Sequence, residues 1–166
     1  MILIEKNEDQ VYFVDNFIDD KECKYWISFS KNISKNIRER YVHKINELWK
    51  HRTVNITQSN IVNKVEEYIN KKLKLNLKIK EAELQNWIVN SSSELHTHVN
   101  EFRKNTNYNS MLYLNDDFLG GEFYTESGIV LKPKKGMLTL FNGATVKHGV
   151  KKVFENDRYS IIFWWK

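Results

Sequence analysis

The spacing of apolar side chains changes character near residue 77, and that change separates a helix-bearing first part from a strand-rich second part. Residues 10–18 (QVYFVDNFI) alternate apolar with polar and are rich in β-branched and aromatic side chains, which predicts a strand. Asp19 or Asp20 then caps a helix to about Lys31, with Cys23, Trp26 and Ile27 at helical spacing. Residues 33–56 carry little pattern and predict a loop with one short strand. Ser59 opens a second helix, where Ile61, Val62, Val65, Ile69 and Leu73 form one apolar stripe. Lys71 and Lys72 fall near its C-terminal end, where the helix dipole favours cations.

Beyond residue 77, segments 77–89, 109–115, 121–125, 128–132, 137–141, 148–153 and 158–165 are short and aromatic or β-branched. Turn formers separate them: Asn115-Asp116-Asp117, Gly120-Gly121, Ser127-Gly128, Lys135-Gly136 and Asn156-Asp157. Many short strands behind a helical lead-in predict a mainly β fold, a jelly-roll-like barrel buttressed by helices on one side. The chain has 166 residues, no repeat and a single proline, Pro133, so one domain over 1–166 is expected. Residues 1–76 would form its helical support and 77–166 its β core.

Composition narrows the class. With 41% hydrophobic and 13% aromatic residues, the chain has the material for a packed core. Cys23 is the only cysteine, which excludes an internal disulfide and cysteine-based zinc clusters. The opening MILIEKNEDQ turns acidic too soon for a secretory signal, and no apolar run approaches the roughly 18 residues of a membrane span. A cytoplasmic protein without membrane contact is the expectation. The net charge of +5 gathers in two lysine-rich stretches, 71–80 and 132–152. No nucleic-acid motif accompanies these lysines, so nucleic acid is a disfavoured partner.

The candidate chemistry lies in the second part. Of five histidines (His43, His51, His96, His98 and His148), the last three fall in the strand-rich region. Residues i and i+2 of a strand share a face, so His96 and His98 would point together into the barrel. His148 opens another predicted strand, and three imidazoles from two strands would make a facial metal site with open positions. Histidines on a polar strand rim are the alternative. Arg158 begins the otherwise apolar final strand and shares a face with Ser160. A buried guanidinium is costly unless it meets an anion, and its fork matches a carboxylate. A structural salt bridge is the competing account. Tyr113 is an interior phenol candidate, and Gly120-Gly121-Glu122 reads as a tight turn into a strand.

In order along the chain these residues resemble the Fe(II)/2-oxoglutarate-dependent oxygenases, in particular their prolyl-4-hydroxylase-like branch. The counterparts are His96-Thr97-His98-Val99-Asn100, Tyr113-Leu114-Asn115, Gly120-Gly121-Glu122, Pro133-Lys134-Lys135-Gly136, Phe141, His148-Gly149-Val150 and Arg158-Tyr159-Ser160 through Trp164. The opening strand and helix, Phe13 to Ile18 with Glu22-Cys23, are similar too. The resemblance implies a double-stranded β-helix with an N-terminal strand and supporting helices. It implies His148 as the distal iron ligand, and Arg158 as the anchor for the far carboxylate of 2-oxoglutarate, with Ser160 and Tyr113 as its hydrogen-bond partners. Oxidative decarboxylation of this small-molecule cosubstrate, with ascorbate as an optional auxiliary, would drive hydroxylation of a C–H bond in a peptide, protein or small molecule.

The chain departs from the family at its first ligand pair, normally His-x-Asp. Either His96 and His98 form the pair, with histidine replacing the carboxylate, or His98 is the ligand and Asn100 stands at the carboxylate position. Imidazole binds Fe(II) better than a neutral amide does, while the interval from Gln85 to His98 fits the second register without a gap. A catalytically degenerate β-helix that only binds is the rival reading. A cupin-like three-histidine enzyme would have no need of an inward Arg158. The two-arginine C-terminal signature of the nucleic-acid demethylases is absent, since Arg158 is the last arginine.

Overall fold

The first apolar stretch forms a hairpin rather than one strand. In the computed structural model, which describes residues 1–33, 51–98 and 107–166, β1 (Ile2–Lys6) pairs antiparallel with β2 (Asp9–Val14). Asn7 and Glu8 join them at φ of 47° and 72°, the left-handed pair that a two-residue hairpin turn needs. The predicted strand over 10–18 ends at Val14, because Asn16 turns the chain at φ 54°. Helix α1 (Asp20–Ile33) follows, capped by Asp19, whose carboxylate accepts from the Glu22 N–H at 2.8 Å. Cys23 and Trp26 are buried on it, as their spacing predicts.

The short strand expected within 33–56 is β3 (His51–Asn55); residues 34–50, His43 included, lie outside the described residues. Helix α2 (Asn60–Leu73) buries Ile61, Val62, Val65 and Ile69. Ser59 holds the extended backbone of an N-cap, but its hydroxyl makes no capping bond. At the other end Lys74 turns left-handed at φ 53°. The Asn70 side chain then bonds both backbone groups of Leu77, leading the chain into the sheet.

The strand-rich part supplies β4 (Ile79–Trp87), β5 (Ser93–His96), β6 (Tyr108–Tyr113), β7 (Leu119–Gly120) and β8 (Phe123–Thr125). Next come β9 (Val130–Leu131), β10 (Leu138–Asn142), β11 (His148–Val150), β12 (Val153–Phe154) and β13 (Arg158–Trp165). A seven-stranded antiparallel sheet runs β1-β2-β10-β6-β13-β4-β3. A four-stranded sheet, β5-β11-β8-β9, faces it, and β12 pairs with β7 in a small ribbon. This is the mainly β jelly roll with helical support that the sequence predicts.

Strand alternation divides the core in two. Tyr159, Ile161, Phe163 and Trp165 of β13 pack with Cys23, Trp26, Val65 and Ile69 beneath the helices. Ile162 and Trp164 turn the other way and pack between the sheets with Met111, Tyr113, Phe123 and Phe141. Arg158 and Ser160 share that inner face by the same period. Among the described residues, no helix is long and apolar enough to cross a membrane.

Candidate metal centre

His96 ends β5 and His148 begins β11, and the two are direct cross-strand partners, which puts their rings on one face. Their centroids are 4.6 Å apart, and His98 approaches them at 5.1 and 4.7 Å. One ring nitrogen from each lies within 4.8 Å of the others. His98 arrives differently from the strand alternation expected of it, because it lies beyond the last residue of β5. Its N–H donates to the Gly143 carbonyl at 2.8 Å, and its Nδ1 meets Asn109 Oδ1 at 2.6 Å.

The ring environments follow one rule. Nδ1 of His96 lies 2.8 Å from the Glu94 carbonyl, Nδ1 of His148 lies 2.8 Å from the Val146 carbonyl, and Nδ1 of His98 faces an amide oxygen. Oxygens of this kind only accept, so the proton of each neutral ring belongs on Nδ1 and the lone pair on Nε2. The Nε2 atoms of His96 and His98 are then 3.2 Å apart with lone pairs converging, an arrangement that a cation relieves. Imidazole nitrogens stand about 2.1 Å from a first-row dication such as zinc, and two such arms at a right angle span about 3 Å. The donor set therefore fits a divalent metal. Burial, reinforced by His98 and His96, holds the His148 ring well below its ordinary pKa and keeps it in the neutral, ligating form. Among the described residues no carboxylate joins the group. Asn100 lies outside the described residues.

Phe123 and Phe141 wall His148 at 5.5 and 4.5 Å, and Tyr113, packed in the same cluster as those two rings, lies against Arg158. Arg158 is 0% exposed. Its Nη1 donates to Ser160 Oγ at 3.4 Å, while Nε and Nη2 have no hydrogen-bond partner among the described residues. The guanidinium lies 5.5 Å from the Trp87 ring and 5.1 Å from that of Tyr113. No salt bridge joins it to an acid among the described residues, so the structural ion pair is not what holds it. Burial pushes its pKa down, and burial pushes the Tyr113 phenol up, so Tyr113 stays a hydrogen-bond donor. Gly121, at φ 66°, has a second reason to be glycine: a Cβ there would lie 2.8 Å from Phe118 and 3.1 Å from Arg158 Cδ.

The structure thus brings His96, His98 and His148 together, and separately Arg158, Ser160 and Tyr113. Sequence reasoning missed Trp87, which flanks the guanidinium and donates from Nε1 to Gln85 at 3.0 Å, and Asn109, which holds His98. The signal for Trp87 was its alternation with Gln85 on a predicted strand, but only the pairing of β4 with β13 puts it opposite Arg158.

An imidazole trio that could hold a metal ion and a buried guanidinium, inside two facing sheets, are the arrangement of a jelly-roll metal site. The sequence model of the 2OG-Fe(II) oxygenase superfamily matches residues 83–166, and the chain belongs to that family. Its Fe(II) and 2-oxoglutarate suit the two clusters. A Pseudomonas putida prolyl-4-hydroxylase has the same fold, with a TM-score of 0.75 at 16% identity over 94% of this chain and 91% of that one. The viral collagen prolyl hydroxylase of Paramecium Bursaria Chlorella virus-1 gives 0.72 at 14%, over 93% and 94%. Prolyl 3-hydroxylase 2 of Rattus norvegicus is 41% identical over 64 residues, 34% of this chain. The chain spans 9% of the length of that relative.

Proposed function

We propose that residues 1–166 form one oxygenase domain that hydroxylates a C–H bond of a prolyl-hydroxylase-type substrate, a peptide or protein segment or a small molecule. His96, His98 and His148 hold Fe(II). Arg158 binds the far carboxylate of 2-oxoglutarate, assisted by Ser160 and Tyr113. Arg158 is the observation that carries the reading. A metal trio alone suits many reactions, whereas a fully buried guanidinium with two unmatched donors calls for an anion.

When both are bound, iron and cosubstrate convert O2, 2-oxoglutarate and R–H into succinate, CO2 and R–OH, one oxygen atom entering succinate and the other the product. The chain does the rest. Three Nδ1 bonds keep the Nε2 atoms aimed at one point. Arg158 and Ser160 fix the cosubstrate by its remote end, and Phe123, Phe141 and Trp164 exclude water from the interior.

The test is aerobic incubation of iron-loaded protein with ascorbate, 2-oxoglutarate and proline-containing peptides, following succinate by NMR. Succinate formation, with Arg158→Ala losing it, supports the reading; iron-loaded protein that neither binds nor consumes 2-oxoglutarate ends it. The lack of a carboxylate in the metal group among the described residues favours one rival, a module that binds without turnover. Calorimetry with Mn(II) separates them, since a degenerate site binds the ion poorly.

A further inference from the structure

We propose that Asn109 is the positioning residue that sets the tautomer and direction of the His98 ring, and that residue 143 is glycine in order to admit it. The inference rests on the reading of His98 as a metal ligand.

His98 lies past the end of β5, so strand pairing does not orient it. Asn109 sits on β6 of the large sheet, 0% exposed, and reaches across to Nδ1 of His98 at 2.6 Å. Its Nδ2 donates to the Phe163 carbonyl on β13 at 3.4 Å. That second bond fixes which way the amide points: nitrogen to the carbonyl, oxygen to the histidine. An amide oxygen cannot donate, so the ring proton is held on Nδ1 and Nε2 faces the other two rings.

The three ligands differ in one respect. His96 and His148 lean on backbone carbonyls, of Glu94 and Val146, which any residue would supply. Among the described residues, the acceptor at His98 Nδ1 is a side chain, which a single substitution can remove. Gly143 supports the arrangement from below. Its carbonyl accepts the His98 N–H at 2.8 Å, and a Cβ there would lie 1.9 Å from Asn109 Oδ1 and 3.0 Å from His98 Nδ1. A larger residue would push the amide off the ring. Outer partners of this kind change metal affinity by about 10–100-fold when removed.

The experiment titrates the full chain with Co(II) and records nitrogen-15 spectra of the histidine rings with and without Zn(II). Asn109→Leu keeps the side-chain size and removes the acceptor. It is expected to weaken Co(II) binding about 10–100-fold and to lose the slowly exchanging Nδ1–H signal of His98, with those of His96 and His148 retained. Asn109→Asp keeps an acceptor oxygen and should restore both, while Gly143→Ala should reproduce the loss with Asn109 intact. A merely structural role would move thermal stability without singling out one ring. Asn109→Leu that binds Co(II) like the parent, with three ring signals, overturns the proposal. If Asn109→Leu does not fold, Gly143→Ala carries the decision: wild-type affinity and three ring signals there overturn it equally. A parent chain that takes up no Co(II) refutes the metal reading instead. The metal-free spectra then decide Asn109 alone: a parent His98 fixed with hydrogen on Nδ1 and exchanging in Asn109→Leu supports it, and identical tautomers in both refute it.

Discussion

The two faces of β13 do opposite things with the same eight residues. Outward, Tyr159, Ile161, Phe163 and Trp165 pack against the helices, and Trp165 Nε1 finds Ser110 Oγ at 2.9 Å. Inward, the strand begins with a buried cation that keeps two donors unmatched. The outer face is packed and satisfied, whereas the inner face leaves Nε and Nη2 of Arg158 without a hydrogen-bond partner among the described residues. Inward Ile162 and Trp164 still pack as core, so the contrast lies between Arg158 and the outer face, and substitutions of Arg158 and Phe163 should have effects of opposite sign on stability.

The largest effect belongs to the outer face. Phe163→Ala removes a fully buried ring beneath the helices and should cost about 3–5 kcal/mol of folding free energy, measured by urea denaturation. For a domain of this size that is a large share of the total. The inner face should reverse the sign. Arg158→Met replaces an unmatched buried charge by an apolar side chain of similar length, and the metal-free chain should unfold at equal or higher urea concentration. The same variant should bind 2-oxoglutarate at least tenfold more weakly, since a charge-assisted hydrogen bond is worth about 1.5–3 kcal/mol. If Arg158→Met instead destabilises the apo chain as Phe163→Ala does, the guanidinium is structural and the contrast between the faces disappears.

A smaller effect tests the room around that guanidinium. Gly121→Ala forces a side chain into left-handed backbone, at φ 66°, and against both Phe118 and Arg158. It should cost about 1–3 kcal/mol and weaken cosubstrate binding while leaving Co(II) affinity unchanged. Loss of metal binding in this variant would mean that the two clusters are not separable units.

Alternation is also what made much of this readable from sequence. The strong inner and outer periods of β13 announced both the core and the buried Arg158, and a His-x-His followed by a distant His148 announced the three-imidazole cluster. The prediction for His98 reached the right neighbourhood by the wrong route: strand period was invoked, whereas Asn109 and the Gly143 carbonyl hold it. Those partners come from β6 and the segment after β10, and a register between strands distant in sequence leaves no local mark. Trp87 escaped for the same reason. The β1–β2 hairpin was missed because its turn uses Asn7 and Glu8 rather than glycine, so no breaker marked it. Gly120 and Gly121 did mark a turn, and the predicted strand over 121–125 begins only at Phe123 because both take positive φ.

The smallest effect lies where the helical support meets the β part, away from either face of β13. Asp20 at the start of α1 is bonded by Lys135, ahead of β10, and by Lys24, at 2.6 Å, on its own helix. The Lys135 hydrogen bond, followed by that of Lys24, lowers the Asp20 carboxyl from 3.8 to about 2. A carboxylate whose folded pKa is depressed contributes stability above its unfolded pKa and loses it as pH falls through the folded value. Asp20→Asn should therefore be slightly less stable than the parent at neutral pH, and the gap should close between pH 3.8 and about 2. The pair is exposed, so salt should shrink the neutral-pH gap as well. Parallel urea midpoints from pH 7 down to 2, at low and high salt, measure it. A gap that persists unchanged at acid pH would assign the loss to the helix cap region rather than to the ion pair, and the tie between α1 and the β part would then rest on packing alone.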